Sequence, residues 1–166
     1  GMDYSVSVNV SAYQLQQAHF IERLRQQLEK HPEVVPGNLV IEILETTALM
    51  DLSGISAVIE AGQALGVKFA LDDFGTGYSS LNYLKNLPAR QLKIDRSFVR
   101  DMLDDRDDLA ILEGIMGLAT AFSRTAIAEG VETVEHGEML LLLGCELAQG
   151  FGIGRPPVRQ AVGLLV

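Results

Sequence analysis

Polar side chains follow a series of short apolar runs along this chain, and their types suit metal and phosphate chemistry. The positions are Asn9, Glu42, Asp72 with Asp73, Lys93 with Asp95, Glu129, and Gln149. Any single one could be a helix cap or a turn residue. Six in succession, several of them acids or a lysine within otherwise apolar segments, are hard to explain by capping and indicate a site.

Most of these side chains offer oxygen ligands. Asn9, Glu42 and Asp72 suit hard divalent cations such as Mg²⁺ or Mn²⁺. Adjacent acids such as Asp72 and Asp73 would allow one carboxylate to bridge two metal ions roughly 3.5–4 Å apart, with a water activated for attack on a phosphodiester. Lys93 could orient that water or stabilise charge on a phosphate; alternatively, it is a lysine whose head group reaches solvent from a strand end.

The remaining polar positions have supporting roles in this interpretation. Glu129 is a candidate base or metal ligand, and Gln149 could donate a hydrogen bond to a ligand or a water. The three histidines lie in helical segments away from the strand ends, and we expect them on the surface: His19, His31 and His136.

Short β-rich runs alternate with helical patterns along the whole chain. Predicted strands cover 5–11, 38–44, 67–73, 90–95, 125–132 and 145–150. Helical patterns follow at 12–31, 51–66, 79–88, 107–123, 134–144 and near 158–166. Six such units predict a parallel sheet covered by helices. Ligands bind at the C-terminal edge of such sheets, so the polar positions should converge on one site.

The two adjacent acids pose a geometric problem. Successive residues of a regular strand point to opposite faces, so Asp72 and Asp73 can serve one site only if the strand ends there. Gly75 and Gly77 follow closely and permit backbone shapes that other residues resist. We therefore expect the third strand to end at these acids.

Composition limits the partners. The chain has 166 residues, 48% of them hydrophobic, and a net charge of −9, which argues against duplex nucleic acid or an anionic membrane surface as a partner. An anionic ligand could still bind if metal ions supply positive charge. Cys145 is the only cysteine and excludes an intrachain disulfide. No apolar run approaches the ~20 residues that span a bilayer, so we expect a cytoplasmic chain without direct membrane insertion.

Six motifs in the chain resemble those of the EAL-domain phosphodiesterases, which hydrolyse the bacterial second messenger cyclic di-GMP to the linear dinucleotide pGpG. They are SVNVSAYQL (7–15), IEILETTALM (41–50), DDFGTGYSSL (72–81), LKIDRSFV (92–99), AEGVET (128–133) and QGFGIGRP (149–156). Their order and spacing match over nearly the whole chain. The resemblance implies an α/β fold of the TIM-type (β/α) barrel class and a site for two Mg²⁺ or Mn²⁺ ions.

The resemblance also implies roles for individual residues. The metal ligands would be Asn9, Glu42, Asp72, Asp73 and Glu129. Asp73 would also serve the attacking water, Lys93 would contact that water or the phosphate, and Glu129 would assist as a base. Gln149 and Arg155 would lie near the substrate. Glu132 would tether the FGTGYSS loop, which the resemblance links to a dimer surface.

The sequence departs from the family in one respect: it contains no Glu-Ala-Leu tripeptide, whose glutamate ligates a metal in the family. A complete barrel has about 250 residues and eight strands. We therefore interpret residues 2–166 as a single, N-terminally truncated EAL-type domain, an incomplete barrel of about six βα units with the first strands missing. We expect it to be inactive or impaired alone, and to form a homodimer that covers its exposed strand edges.

Several functions remain open at this stage. The chain could be the phosphodiesterase part of a protein with other signalling domains, or a non-catalytic module for cyclic di-GMP binding or dimerisation. Lys93 could form a Schiff base as in an aldolase-like barrel, although the surrounding acids suit metals better than an amine that needs a lowered pKa. A kinase is disfavoured because DFG here lacks the upstream glycine-rich loop, strand lysine and HRD segment.

Overall fold

The computed structural model describes residues 5–77 and 81–154, and its centre is one parallel sheet. Six strands pair in chain order, each parallel to the next. They are β1 (Val6–Asn9), β2 (Leu39–Leu44), β3 (Lys68–Phe74), β4 (Gln91–Ile94), β5 (Thr125–Glu129) and β6 (Leu147–Gln149). The sheet curls into a half-barrel. The predicted series of six parallel strands is confirmed.

Helices connect the strands and cover the outer face of the sheet. They are α1 (Ala12–Leu15), α2 (Phe20–Lys30), α3 (Glu45–Met50), α4 (Leu52–Ala64), α5 (Leu81–Asn86), α6 (Arg96–Asp101), α7 (Arg106–Ala121) and α8 (Val134–Leu142), with a 3₁₀ turn at Pro36–Asn38. Within the described part of the chain, no helix has the length and apolar character needed to cross a membrane.

The helix predictions differ from the structure at residues 12–31 and after two of the strands. The pattern at 12–31 is not one helix, because α1 ends after one turn and α2 begins at Phe20. The sequence pattern did not predict the short helices α3, which starts directly after β2, and α6, which starts after Asp95 at the end of β4. The helix predicted near 158–166 lies outside the described residues.

The core lies between the outer face of the sheet and the helices. Alternate strand residues such as Phe69, Leu71, Leu92 and Ile94 are fully buried there. Gly62 of α4 allows close packing, because a β-carbon at this position would lie 2.5 Å from the ring of Phe69. The other set of strand residues faces the concave side and carries the polar positions identified above. Burial of the apolar set therefore fixes which way the polar set points.

A β-bulge in the third strand explains how the adjacent acids can face one site. It does not end at Asp72 and Asp73 as predicted, but continues to Phe74, which pairs with Ile94. Between Leu71 and Phe74 the register shifts by one residue relative to β4, and Asp73 has a φ of +54°. An extra residue in one strand locally re-aims its side chains. This bulge lets both carboxylates approach the same site.

Candidate active site

A buried lysine lies at the centre of the site. Nζ of Lys93, in the middle of β4, lies 2.8 Å from Glu42 Oε2, 3.0 Å from Asp72 Oδ1 and 2.5 Å from Glu129 Oε1. Its side chain is only 7% exposed. The three carboxylates come from β2, β3 and β5, so one ammonium group links the ends of four neighbouring strands. A buried lysine requires such partners, because an unpaired charge is costly to remove from water.

Three acids beside this lysine form a group that could hold a metal ion. Asp72, Asp73 and Glu129 each offer a carboxylate oxygen, and these oxygens lie within 4.8 Å of one another. Asp72 Oδ1 is buried and accepts no hydrogen bond within the described structure, although Lys93 lies close to it. A buried carboxylate oxygen without a hydrogen bond is chemically suited to a cation. The donor set, all oxygen, fits Mg²⁺ or Mn²⁺.

Burial and mutual charge shift the titration of the site. Burial by itself lowers the pKa of the Lys93 ammonium, but its contacts with Glu129, Glu42 and Asp72 outweigh burial and raise the pKa above its ordinary value. Burial raises the pKa of Glu129, and Lys93 offsets this only in part because Asp72 and Glu42 add negative charge. Burial, followed by the charges of Asp72 and Asp95, raises the pKa of Asp73. The site thus holds more negative charge than one lysine balances.

Two amide side chains flank the acids, one on each edge strand of the sheet. Gln149, at the end of β6, donates from Nε2 to Glu129 Oε1 over 2.7 Å. Asn9, the last residue of β1, is exposed and lies opposite Glu42 in the register of the two strands. The structure therefore places both residues at the same strand ends as the acids. Their roles toward a metal or a substrate remain predictions.

Asp95 links the site to the helix that follows β4. It caps α6 by accepting the backbone N–H of Ser97 over 2.9 Å, and it also accepts the Ser97 hydroxyl. Burial acts to raise the pKa of Asp95, but the bonds from Ser97 outweigh this and lower it. Asp95 therefore remains an anion beside Asp73 and fixes the start of α6 at the edge of the site.

One acid that shapes the site is not among the residues predicted from the sequence. Glu45, the first residue of α3, is buried, and its Oε2 accepts the backbone N–H groups of Gly75 (3.0 Å) and Gly77 (3.2 Å). The loop after β3 is thereby held to the end of β2. The sequence does show an acid three residues after Glu42. An acid in the first turn of a helix is equally well explained by its favourable interaction with the helix dipole, so the sequence did not single out Glu45.

The structure does not bring Glu132 into this cluster, and it does not describe Arg155. Glu132 is exposed, three residues beyond Glu129, and its predicted role as the tether of the FGTGYSS loop stays a prediction, part of that loop lying outside the described residues. Arg155 also lies outside the described residues.

The prediction that all histidines are on the surface was wrong for His136. Its side chain is buried at the start of α8, where Nε2 lies 3.2 Å from the Arg100 carbonyl and Nδ1 lies 3.1 Å from Thr133 Oγ1. The helical pattern placed His136 at the first turn of α8, but only the packing of α8 on α6 buries it.

The curled parallel sheet and its strand-end carboxylates define a barrel-type α/β domain with an acidic site at the C-terminal edge. The EAL domain family model matches residues 1–156. The chain belongs to the EAL domain family, which confirms the resemblance seen in the sequence.

Two relatives from Pseudomonas aeruginosa illustrate the family. The bifunctional diguanylate cyclase/cyclic di-GMP phosphodiesterase MucR is 44% identical over 159 residues, which are 95% of this chain and 23% of MucR. The cyclic di-GMP phosphodiesterase PA2567 is 33% identical over 151 residues, covering 91% of this chain and 26% of that protein. The chain spans about a quarter of the length of these relatives.

Solved structures share the fold closely. The structure of the MucR phosphodiesterase in complex with cyclic di-GMP has a TM-score of 0.86 at 43% identity, and the match covers 92% of this chain and 61% of that one. The EAL domain of Mycobacterium smegmatis DcpA has a TM-score of 0.85 at 38% identity, with 92% and 68% covered. The half-barrel seen here is thus a large part of an EAL domain.

Proposed function

We propose that residues 2–166 form one EAL-type unit whose strand-end site hydrolyses cyclic di-GMP to linear pGpG with the aid of Mg²⁺ or Mn²⁺. The observation that carries this proposal is the position of Lys93 between the buried carboxylates of Glu42 and Asp72 and the half-buried carboxylate of Glu129, in a chain of this family. The relatives whose names specify this activity support the choice of substrate.

The acids of the site would hold the metal. Asp72, Asp73 and Glu129 converge closely enough to share a cation, and Glu42 lies next to them through Lys93. Asn9 would complete the oxygen set from the end of β1. A bound divalent ion would supply an activated water and would favour negative charge on the phosphate.

The reaction itself is an addition of water across one phosphodiester. The water oxygen forms a bond to phosphorus, the bond from phosphorus to the sugar 3′ oxygen breaks, and that oxygen receives a proton. Lys93 would orient the water and attract the charged phosphate oxygens. Glu129 is suited to accept a proton because burial raises its pKa above the ordinary carboxyl value. Gln149 holds Glu129 in position, and Gln149 and Arg155 would contact the nucleotide.

Charge explains why this function requires a metal. The substrate carries two negative phosphodiesters and the chain a net charge of −9, so the acids alone would repel it. Lys93 is already engaged by three carboxylates. Divalent cations would therefore provide the positive charge that the substrate needs.

We propose that these 166 residues hydrolyse cyclic di-GMP only weakly alone. The glutamate of the Glu-Ala-Leu motif is not among them, so the metal would have one acidic ligand fewer than in the family. The same proposal includes a homodimer, a cytoplasmic location and attachment to other signalling domains. The multidomain length of MucR supports the attachment to other domains.

The test is incubation of the chain with cyclic di-GMP and Mn²⁺, followed by chromatographic detection of pGpG and by calorimetric measurement of binding. The matched variants are Asp72→Asn in the site and Asp104→Asn on the exposed surface after α6. Slow turnover that EDTA and Asp72→Asn abolish, and Asp104→Asn preserves, supports the enzyme. Binding without any turnover supports the non-catalytic module instead. The absence of both binding and turnover would reject the enzyme and the module alike.

A further inference from the structure

His136, in the first turn of α8, contacts a neighbouring helix through one of its ring nitrogens. Arg100 of α6 contributes a carbonyl, which can only accept, so Nε2 carries the hydrogen and donates to it. The other nitrogen, Nδ1, lies 3.1 Å from Oγ1 of Thr133, the N-cap of α8, which also accepts the backbone N–H of His136. The link to α6 is therefore the bond from Nε2. The contact ties the first turn of α8 to the last turn of α6.

The helix held in this way borders the active site on two sides. At its start, Arg96 packs against Gly130, which has a φ of +74° and where a β-carbon would lie 2.7 Å from Arg96 Cβ. Two residues later, the ring of Phe98 lies where a β-carbon on Gly75 would be only 2.9 Å from it. Gly130 directly follows Glu129, and Gly75 follows the bulge of Asp72 and Asp73. The helix thus contacts the turns after both neighbouring strands.

The length of α6 makes its C-terminal anchor important. Six residues span about 9 Å, and such a helix has little stability of its own. Asp95 fixes its first turn, while its last turn is held by the buried Val99 and by His136. If the bond to His136 is lost, the helix can tilt about its fixed start. Phe98 would then shift against Gly75, and the contact at Gly130 would loosen.

We infer that His136 is a positioning residue of the active site: by anchoring α6 it fixes the turns after β3 and β5, and so the distances between Lys93 and the carboxylates of Asp72, Asp73 and Glu129. This inference rests on the proposed function for its catalytic meaning, but its structural part can be measured separately.

The test compares His136→Leu with His136→Gln. Leucine removes both hydrogen bonds, whereas the glutamine amide nitrogen can reach the place of Nε2 and donate to the Arg100 carbonyl. The first readout is amide hydrogen exchange at Gly75, whose N–H is bound by Glu45, and at Val131, whose N–H is bound by the Gln149 carbonyl. Leu92, in the buried middle of β4, is the internal reference.

In His136→Leu we expect exchange at Gly75 and Val131 to accelerate about tenfold relative to Leu92, the factor that corresponds to a buried hydrogen bond of ~1.4 kcal/mol. The dissociation constant for Mn²⁺ should rise by about the same factor. His136→Gln should restore both values. Folded His136→Leu protein with unchanged exchange at both amides would overturn the inference.

A second pair decides the matter if His136→Leu does not fold. His136→Asn is shorter, so its amide can take the place of Nδ1 beside Thr133 but cannot reach the Arg100 carbonyl. Faster exchange at Gly75 and Val131 in His136→Asn than in His136→Gln supports the positioning role, and equal exchange in both variants overturns it. Failure of the wild-type chain to bind Mn²⁺ would instead count against the proposed function, because the exchange readout does not require metal.

Discussion

The ammonium group of Lys93 and the carboxylate of Glu129 lie 2.5 Å apart on the neighbouring strands β4 and β5. Glu42 and Asp72 contact the same ammonium from β2 and β3. One lysine therefore balances part of the charge of acids that the chain draws together from distant segments. Both the stability of the strand ends and their metal chemistry depend on this balance.

Replacing Lys93 with methionine tests that balance. The variant keeps the length of the side chain but leaves two buried carboxylates and the half-buried Glu129 without their cation, so in EDTA we expect the free energy of unfolding to fall by about 3 kcal/mol. Mn²⁺ should recover part of the loss because it neutralises the same acids. Chemical denaturation with and without Mn²⁺ measures both effects.

Lys30→Met is the control for Lys93→Met. Lys30 is the exposed last residue of α2, and its loss should change stability by no more than about 0.5 kcal/mol. Equal stability of the Lys93 and Lys30 variants in EDTA would show that Lys93 does not support the acid cluster.

Replacing Asp73 with asparagine should change metal affinity and metal-free stability in opposite directions. Asparagine tolerates the positive φ of this position, so the bulge should persist. Loss of one ligand should weaken Mn²⁺ binding by more than the ~10–100-fold typical of a supporting residue. In EDTA the variant should be at least as stable as the wild type, since one repulsive charge is gone.

Calorimetric titration with Mn²⁺ and thermal melting in EDTA test the Asp73 variant. Asp104→Asn, at an exposed position, should leave both measurements unchanged. A variant that binds Mn²⁺ as tightly as the wild type would exclude Asp73 from the metal site.

Two glycine substitutions should have opposite effects on stability. Gly75 has a φ of +102°, and a β-carbon there would lie 2.9 Å from the ring of Phe98 and 3.0 Å from Ile115 Cδ1. Gly75→Ala should therefore cost about 2 kcal/mol. Gly114 lies in α7 with nothing within 4 Å of a β-carbon, so Gly114→Ala should stabilise by roughly 0.5–1 kcal/mol. Melting temperatures that move in the same direction would contradict this prediction.

The pH dependence of stability should report on Glu45. Burial raises the pKa of this carboxyl despite the hydrogen bonds from Gly75 and Gly77. The folded state therefore binds the proton more tightly than the unfolded chain, so the carboxyl costs stability as pH rises through its folded pKa. Glu45→Gln removes this cost, and the stability of the variant relative to wild type should increase as pH rises from below the ordinary carboxyl pKa of 4.5 through the raised pKa of Glu45.

Melting curves of Glu45→Gln and the wild type in EDTA, recorded across this pH range, give the sign. Glu33→Gln is the control, since Glu33 is exposed and its carboxyl pKa is lowered by its own backbone N–H and by His31. A relative stability that stays constant or decreases with pH would show that Glu45 is not held as a buried, destabilised anion.

Much of the site could be predicted because it depends on local sequence patterns. Short β-rich apolar runs identify β2 to β5, and their parallel order brings Glu42, Asp72, Lys93 and Glu129 to one edge. The side-chain period of a strand is short, so an acid or lysine in an apolar run is visible without any knowledge of its neighbours. These positions were confirmed as neighbours in space.

The remaining features depend on contacts between distant segments. The end of β3 was mispredicted because a bulge and the end of a strand both change the direction of a side chain. Only the pairing of Phe74 with Ile94 shows that the strand continues through a bulge. Glu45 is an ordinary helix-start acid until Gly75 and Gly77 approach it. The sequence places His136 in a helical turn that is expected to be exposed, and only its contact with α6 shows that it is buried.

The sequence by itself determined the alternation of strands and helices and the acids and lysine that meet at the strand ends, because these follow from local periodicity and from the geometry of parallel sheets, and its six motifs determined the family. Only the tertiary structure decided how Lys93 shares its charge among Glu42, Asp72 and Glu129, and which residues hold the surrounding turns. Those outcomes depend on differences of a few tenths of an ångström in the distances between segments far apart in the chain. Packing sets these distances, and local sequence does not encode them.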